Sequence, residues 1–310
     1  MIPSGTHAPD VPATVFEGPA NTALRYERPD PRVIDFVSDY YVLDSDGPHA
    51  LGAIEWSMPG PANIRLFMDE RPVNVAIGSR VFAPTPHVAL YGPTGRALRI
   101  EAFGGVTIGM GITALGWARL FDKSADQYQD RIVPLGDVMQ EAPAAELHAR
   151  LSASDRALEV KAILDSFFLE HLGPPHPDEP QIRRVMALVV DEAVGDLSEV
   201  AERAALTPQQ LRQISLRYFG FPPKRLLRRG RFLRSLLRMY AAGSADYGLI
   251  SRSYFDVPHF LRDAEEFLGT TPRRFMAMQT PYLRHIIRAR TAVFGVPAQA
   301  LFGAGSEPEA

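Results

Sequence analysis

The sequence predicts an α+β protein. An antiparallel, β-rich half of sandwich or barrel type with flanking helices is followed by an all-helical half. Two patterns carry this prediction. Between residues 33 and 113 the chain is cut into short β-branched and aromatic runs by Gly, Pro, Asn and Asp, the punctuation of strands. Beyond residue 181 the apolar residues recur at helical spacing instead. A third observation divides the chain by charge. Residues 181–290 hold 19 Lys and Arg against 10 Asp and Glu, while the remainder holds 14 against 26. A basic helical half joined to an acidic β half is the footprint of a nucleic-acid-binding module with an attached second domain.

The β half justifies itself run by run. VIDFVSDYYVL (33–43), IEWSM (54–58), NIRLFMD (63–69), VNVAIG (73–78), RVFAPTPHVALYG (80–92), RALRIEAFG (96–104) and VTIGMGIT (106–113) are the predicted strands. In the last of these Val106, Ile108, Met110 and Ile112 alternate strictly, as when one face is buried, and the intervening glycines suit a face that needs small residues. Helical spacing begins at Thr113, with short helices over 114–122 and 124–130, a connector over 132–139, a helix over 143–151 and a longer one over 154–171. Residues 1–30 are proline-rich and predict a loosely ordered arm. GPPHPDEP (173–180), with four prolines in eight residues, predicts a stiff linker.

Several chemistries are excluded or weakened. There are no cysteines, so neither disulfides nor thiolate metal sites can form. His49 and His87 are the histidines of the strand region, too few for a zinc or iron site, and read as surface or core residues. Gly-x-Ser-x-Gly is absent, and the glycines of GGVTIGMG lack the Lys-Ser/Thr of a phosphate loop. The reading is therefore not an enzyme and needs no cofactor. Trp56, Phe67, Phe82, Tyr91 and Phe103 are open to two readings, the lining of a pocket for an apolar effector or ordinary core, with core favoured. The N-terminus lacks a signal pattern and no apolar run approaches 18 residues, so a cytoplasmic location is expected.

Residues 196–218 hold the sharper signal. Leu197, Val200 and Ala201 share one helical face, Leu206-Thr207-Pro208 make a tight turn, and Leu211, Ile214 and Tyr218 define the buried face of a second helix. Thr207 suits the N-cap and Pro208 the first helical position. Gln209, Gln210, Arg212, Gln213 and Arg217 fall on the other side, giving a helix-turn-helix with an exposed Gln/Arg face. A basic helix follows, free of acids from Arg203 to Ala245, and then a second unit in which Asp256 precedes His259 as the expected N-cap.

In order and spacing, Ala201, Leu206-Thr207, Leu211, Gly220, Pro223 and Leu226, then Tyr254, Asp256, His259-Phe260, Arg262, Gly269, Thr271-Pro272 and Phe275, resemble the DNA-binding domain of AraC/XylS-type transcriptional regulators. That resemblance implies two helix-turn-helix units joined by one long helix. It departs at Gln213, where the family often has arginine, at Ser215, near which it usually has phenylalanine, at Ser253 in place of a turn glycine, and at Ala264-Glu265-Glu266, where an aromatic and basic residues are common. Residues 30–172 resemble, more loosely, an uncharacterised sensor-like domain found ahead of such modules, which implies no particular ligand.

The expected organisation is an arm over 1–30, a β-rich regulatory domain over 31–172, a linker over 173–180, an AraC-type DNA-binding domain over 181–290 and a tail over 291–310, polar from Gly303. Base edges are assigned to Gln209, Gln210, Arg212, Gln213, Val257 and His259, with packing favoured for His259. Phosphates are assigned to Arg217, Lys224, Arg225, Arg228, Arg229, Arg231 and Arg262. Promoter DNA is the expected partner; RNA polymerase, a small-molecule effector and a second copy of the chain stay open as others. The alternative is a degenerate helix-turn-helix protein that acts through protein contacts, because Glu265 and Glu266 would repel phosphates.

Overall fold

The computed structural model describes residues 1–69, 72–194, 196–278 and 280–298. Its strands are β1 (Thr22–Glu27), β2 (Val37–Ser45), β3 (Leu51–Ser57), β4 (Asn63–Phe67), β5 (Asn74–Ile77), β6 (Arg80–Phe82), β7 (Val88–Tyr91), β8 (Leu98–Phe103), β9 (Gly105–Ile112) and β10 (Ile132–Pro134). They form a six-stranded sheet in the order β1-β2-β9-β4-β7-β10 and a four-stranded sheet in the order β3-β8-β5-β6, every pairing antiparallel. The long run predicted over 80–92 is two strands, β6 and β7, in different sheets.

Two strands lie where the sequence predicts none. β1 falls in the proline-rich arm and is buried along all six residues. Its edge is covered by the chain before it, through Gly5 N–H to the Leu24 carbonyl at 3.0 Å and Tyr26 N–H to the Gly5 carbonyl at 3.1 Å. β10 lies in the segment read as a connector and pairs with β7. Residues 33–36, predicted as strand, turn helically before β2, with Val37 N–H reaching the Val33 carbonyl.

The helices after β9 are α1 (Ala114–Leu120), α2 (Gly136–Met139), α3 (Glu141–Ser152) and α4 (Val160–His171). They cover the outer face of the larger sheet, where Tyr40 stacks on Phe168 with ring centroids 6.2 Å apart. The inner face carries Tyr41, Asn63, Arg65, Phe67 and Tyr91 toward the smaller sheet. Gly109 on β9 makes room there, since a Cβ would meet the Tyr41 ring at 2.1 Å.

The second half comprises α5 (Glu179–Val190), α6 (Leu197–Arg203), α7 (Pro208–Phe219), α8 (Pro223–Ala242), α9 (Val257–Leu268), α10 (Pro272–Ala277) and α11 (Pro281–Phe294). Residues 173–180 are held at both ends. Gly173 exchanges hydrogen bonds with Arg119, Glu179 pairs with the Arg119 guanidinium, and the Tyr218 hydroxyl donates to Asp178 Oδ2 at 2.6 Å. One apolar core therefore runs from Leu90 and Ile108 through Leu115 and Leu164 to Ile182 and Leu211.

α11 folds back onto the β half. Its Arg290 pairs with Asp39 of β2 at 2.7 Å, both side chains 4% exposed. His285 Nε2 donates to the Phe16 carbonyl at 2.9 Å, and Arg28 Nε donates to the Val293 carbonyl at 2.7 Å. Phe16, Leu24 and Tyr26 pack with Ala289, Val293 and Phe294 in a cluster of their own. The tail expected from Gly303 lies outside the described residues.

Candidate nucleic-acid interface

The first helix-turn-helix is built from local chemistry. Asp196 caps α6, its Oδ1 accepting from Ser198 N–H at 2.8 Å and Glu199 N–H at 3.0 Å. Ala205 takes the left-handed conformation in the turn, with φ 52°. Thr207 and Gln210 then form a reciprocal capping box at the start of α7: Thr207 Oγ1 accepts from Gln210 N–H, and Gln210 Oε1 accepts from Thr207 N–H. Gly220 ends the helix at φ 79°. The cap and the proline sit where the sequence places them.

This framework fixes which face α7 shows. Leu211, Ile214, Ser215 and Tyr218 are buried, and Gln209, Gln210, Arg212, Gln213 and Arg217 are exposed. Gln210 spends its oxygen on the cap, leaving its amide NH2 to meet a base. Lys224, at the start of α8, is also exposed. Amide and guanidinium groups held on a rigid helix are suited to bidentate contacts with adenine and guanine in the major groove.

The second unit is organised around a buried carboxylate. Asp256 caps α9, accepting from His259 N–H at 2.7 Å, and Thr271 caps α10. On α9, Asp263 is fully buried; it accepts from Arg228 Nε at 3.0 Å and from the Tyr254 hydroxyl at 2.8 Å, and it lies 3.4 Å from Arg231 Nη2. Glu266 pairs with Arg228 at 2.7 Å and with Arg225 at 3.3 Å. α8 and α9 are thus joined by charge pairs as well as by Phe232 stacking on Phe267 at 5.4 Å. The pair Glu265 and Glu266 separates: Glu265 faces solvent, and Glu266 is neutralised by arginines.

The phosphate assignments separate likewise. Arg217, Lys224 and Arg262 are exposed. Arg225, Arg228 and Arg231 are half-buried in the pairs just described. Arg229 is a correction. It points away from the basic face into the β half, where Nη1 donates to the carbonyls of Thr94 at 3.0 Å and Gly60 at 3.2 Å; burial pushes its pKa down to about 10. A buried guanidinium that satisfies two carbonyls is a docking group, and in this arrangement it reaches no phosphate. Val257 is half-buried, and His259 is held between Arg231, at 3.4 Å, and the Tyr254 ring, at 5.2 Å. His259 is half-buried there and lines the cleft described next. Between α6, α8 and α9 lies a cleft of about 760 Å³, lined among others by Asp196, Lys224, Arg231, Ser253 and Arg262. Phe255, which sequence reasoning passes over, is 94% exposed in the turn before α9.

A separate cavity of about 210 Å³ opens between the two sheets and is walled on one side by α11. Trp56, Phe67 and Tyr91 of the aromatic set line it, and Phe82 and Phe103 do not. Glu55 of β3 sits at its edge, 6% exposed, with Oε1 accepting from Tyr282 N–H of α11; burial pushes its carboxyl up to about 7, against the pull of the Tyr282 and Leu283 N–H groups. His87, by contrast, lies near the Phe67 carbonyl, with Nδ1 at 3.3 Å. Among the described residues no group of three or more His, Asp or Glu could hold a metal ion, and no helix is long and apolar enough to cross a membrane.

No protein-family model matches the chain, and no curated protein matches it significantly. Among solved structures it is similar to ToxT from Vibrio cholerae, at 9% identity and a TM-score of 0.43, covering 72% of this chain and 96% of that one. An unsaturated-fatty-acid-bound ToxT from Vibrio cholerae strain SCE256 gives 10% identity and 0.41, over 84% and 97%. The AraC-like transcriptional activator CuxR gives 15% and 0.23, over 72% and 88%. Overlaps this loose carry neither a ligand nor a site residue across, and the case for this chain rests on its own side chains.

Proposed function

We propose that the chain is a sequence-specific, DNA-binding transcriptional regulator of the AraC/XylS type, in which α7 reads the operator and the β-rich half is regulatory. The observation that carries this reading is the exposed Gln209-Arg212-Gln213 face on a doubly capped helix, joined through the single helix α8 to a second helix-turn-helix unit. Arg217, Lys224 and Arg262 supply phosphate attraction, and α9 positions the module with little base reading of its own. The domain boundary at 173–180 belongs to the same proposal, whereas the one expected at 290 falls inside α11 (Pro281–Phe294).

The test compares binding to a sequence selected from a random pool with binding to random duplex. Arg212→Ala is expected to cost about 1 to 3 kcal/mol on the selected site and much less on random DNA. Arg262→Ala is expected to weaken both equally. If no sequence is enriched and binding shows no salt dependence, the protein-interaction alternative takes its place. The exposed Phe255 and the internally neutralised arginines of α8 favour that second reading.

A further inference from the structure

We infer that Gln210, on the reading face of α7, selects guanine rather than adenine, because its amide oxygen is already taken. This rests on the DNA-binding reading proposed above and names the base that one of its residues meets. Gln210 is the third residue of α7, and its Oε1 accepts from Thr207 N–H at 2.9 Å. The partner is an N–H, so the amide atom turned toward it is the oxygen, and the NH2 is left free. The return bond, from Gln210 N–H to Thr207 Oγ1 at 3.2 Å, holds the same turn from the opposite side. Pro208, between them, has its φ fixed by its ring and has no N–H to compete for the oxygen. Thr207, Pro208 and Gln210 are all exposed, so the amide is pinned and still open to a partner.

A glutamine reads adenine with both ends of its amide, the NH2 donating to N7 and the oxygen accepting from N6. Gln210 has one end to offer. Turning its oxygen toward N6 trades one accepted hydrogen bond for another, so adenine gains little over other bases. In the major groove guanine presents two acceptors side by side, N7 and O6, thymine presents O4 alone, and cytosine presents a donor. A group that only donates is matched best by guanine and opposed by cytosine. Gln209 and Gln213 take no part in the cap and keep both amide ends for adenine. Gln209 and Gln210 are thus neighbours of the same residue type with different readings.

Selection of duplexes from a random pool by the full chain, wild type against Gln210→Glu, decides the matter. Glutamate is a standard partner at this position of a capping box, so one carboxylate oxygen keeps the bond to Thr207 N–H and the variant should melt no lower than the wild type. Its second oxygen can only accept. One position of the selected sequence is therefore expected to change from guanine to cytosine, whose N4 amino group donates, while the other positions are kept. In direct titration the ratio of affinities for the guanine and cytosine duplexes should be about fivefold or more in the wild type and inverted in the variant. Gln210→Met, similar in length but with neither donor nor strong acceptor, should level that position without favouring cytosine, a second readout should the glutamate variant fail to fold. An unchanged sequence profile in both variants, adenine at the position they alter, or equal weakening on selected and random duplexes, as for a phosphate contact, overturns the assignment and leaves the DNA-binding reading standing. If the wild type enriches no sequence at all, both fall.

Discussion

At the scale of single residues, arginines close together in the sequence do different work because a helix turns by about 100° per residue. Arg228 pairs with Asp263, and the next residue, Arg229, enters the β half. A DNA-affinity series over several salt concentrations should separate them. Neutralising Arg217 and Lys224 is expected to lower the slope of log K against log salt by up to about 0.9 for each phosphate that loses its cation, and Arg229→Gln to leave it unchanged. Asp263→Ala removes a fully buried acid from two arginines and Tyr254, and is expected to cost about 3 kcal/mol in chemical denaturation. Glu55 gives a pH signature. Its folded pKa of about 7 lies above the ordinary 4.5, so its stabilising effect is complete below about pH 4.5 and is lost as the pH rises through 7. His285 is buried and its pKa is lowered, which slopes stability the other way, so the measurement is the difference between wild type and Glu55→Gln. That difference should shift in favour of the variant from pH 5 to pH 8.

At the scale of elements, the sequence was legible where burial is one-sided and chemistry is local. β9 shows its alternation, and α7 announces its cap, its proline and its terminal glycine within a few letters of its ends. Thr207→Ala should accordingly lower stability by about 1 kcal/mol and weaken operator binding, measured by thermal denaturation and DNA titration. β1 was illegible because its alternation, Leu24-Arg25-Tyr26-Glu27, spans four letters of a proline-rich stretch, and even its polar face is buried, with Arg25 Nη2 donating to Glu27 Oε1 at 2.9 Å. β10 is three residues long and exists only through its pairing with β7. In the candidate interface the exposed face of α7 could be read from periodicity, but the partners of the α8 arginines could not. Asp263 looks like a surface residue until the fold places Arg228, Arg231 and Tyr254 around it. Glu265 and Glu266 look alike as letters and differ only in what stands opposite.

At the scale of the molecule, the two halves are joined by more than residues 173–180. Arg229 reaches the carbonyls of Gly60 and Thr94, Trp56 meets Phe275 edge to face at 5.8 Å, and Arg290 closes a buried pair with Asp39. Scanning calorimetry of the full chain is expected to show one cooperative transition. Arg290→Met leaves Asp39 buried without its cation; it should cost about 3 to 5 kcal/mol and split that transition in two.

The return of α11 also bears on how the chain is made. A protein emerging from the ribosome folds its early segments first, yet β1 and the segment Ala13–Phe16 find their apolar partners at Ala289, Val293 and Phe294. β1 is therefore synthesised long before the helix that covers it, and the nascent β-rich half shows Leu24, Tyr26 and Leu43 to water or to a chaperone until Phe294 has been translated.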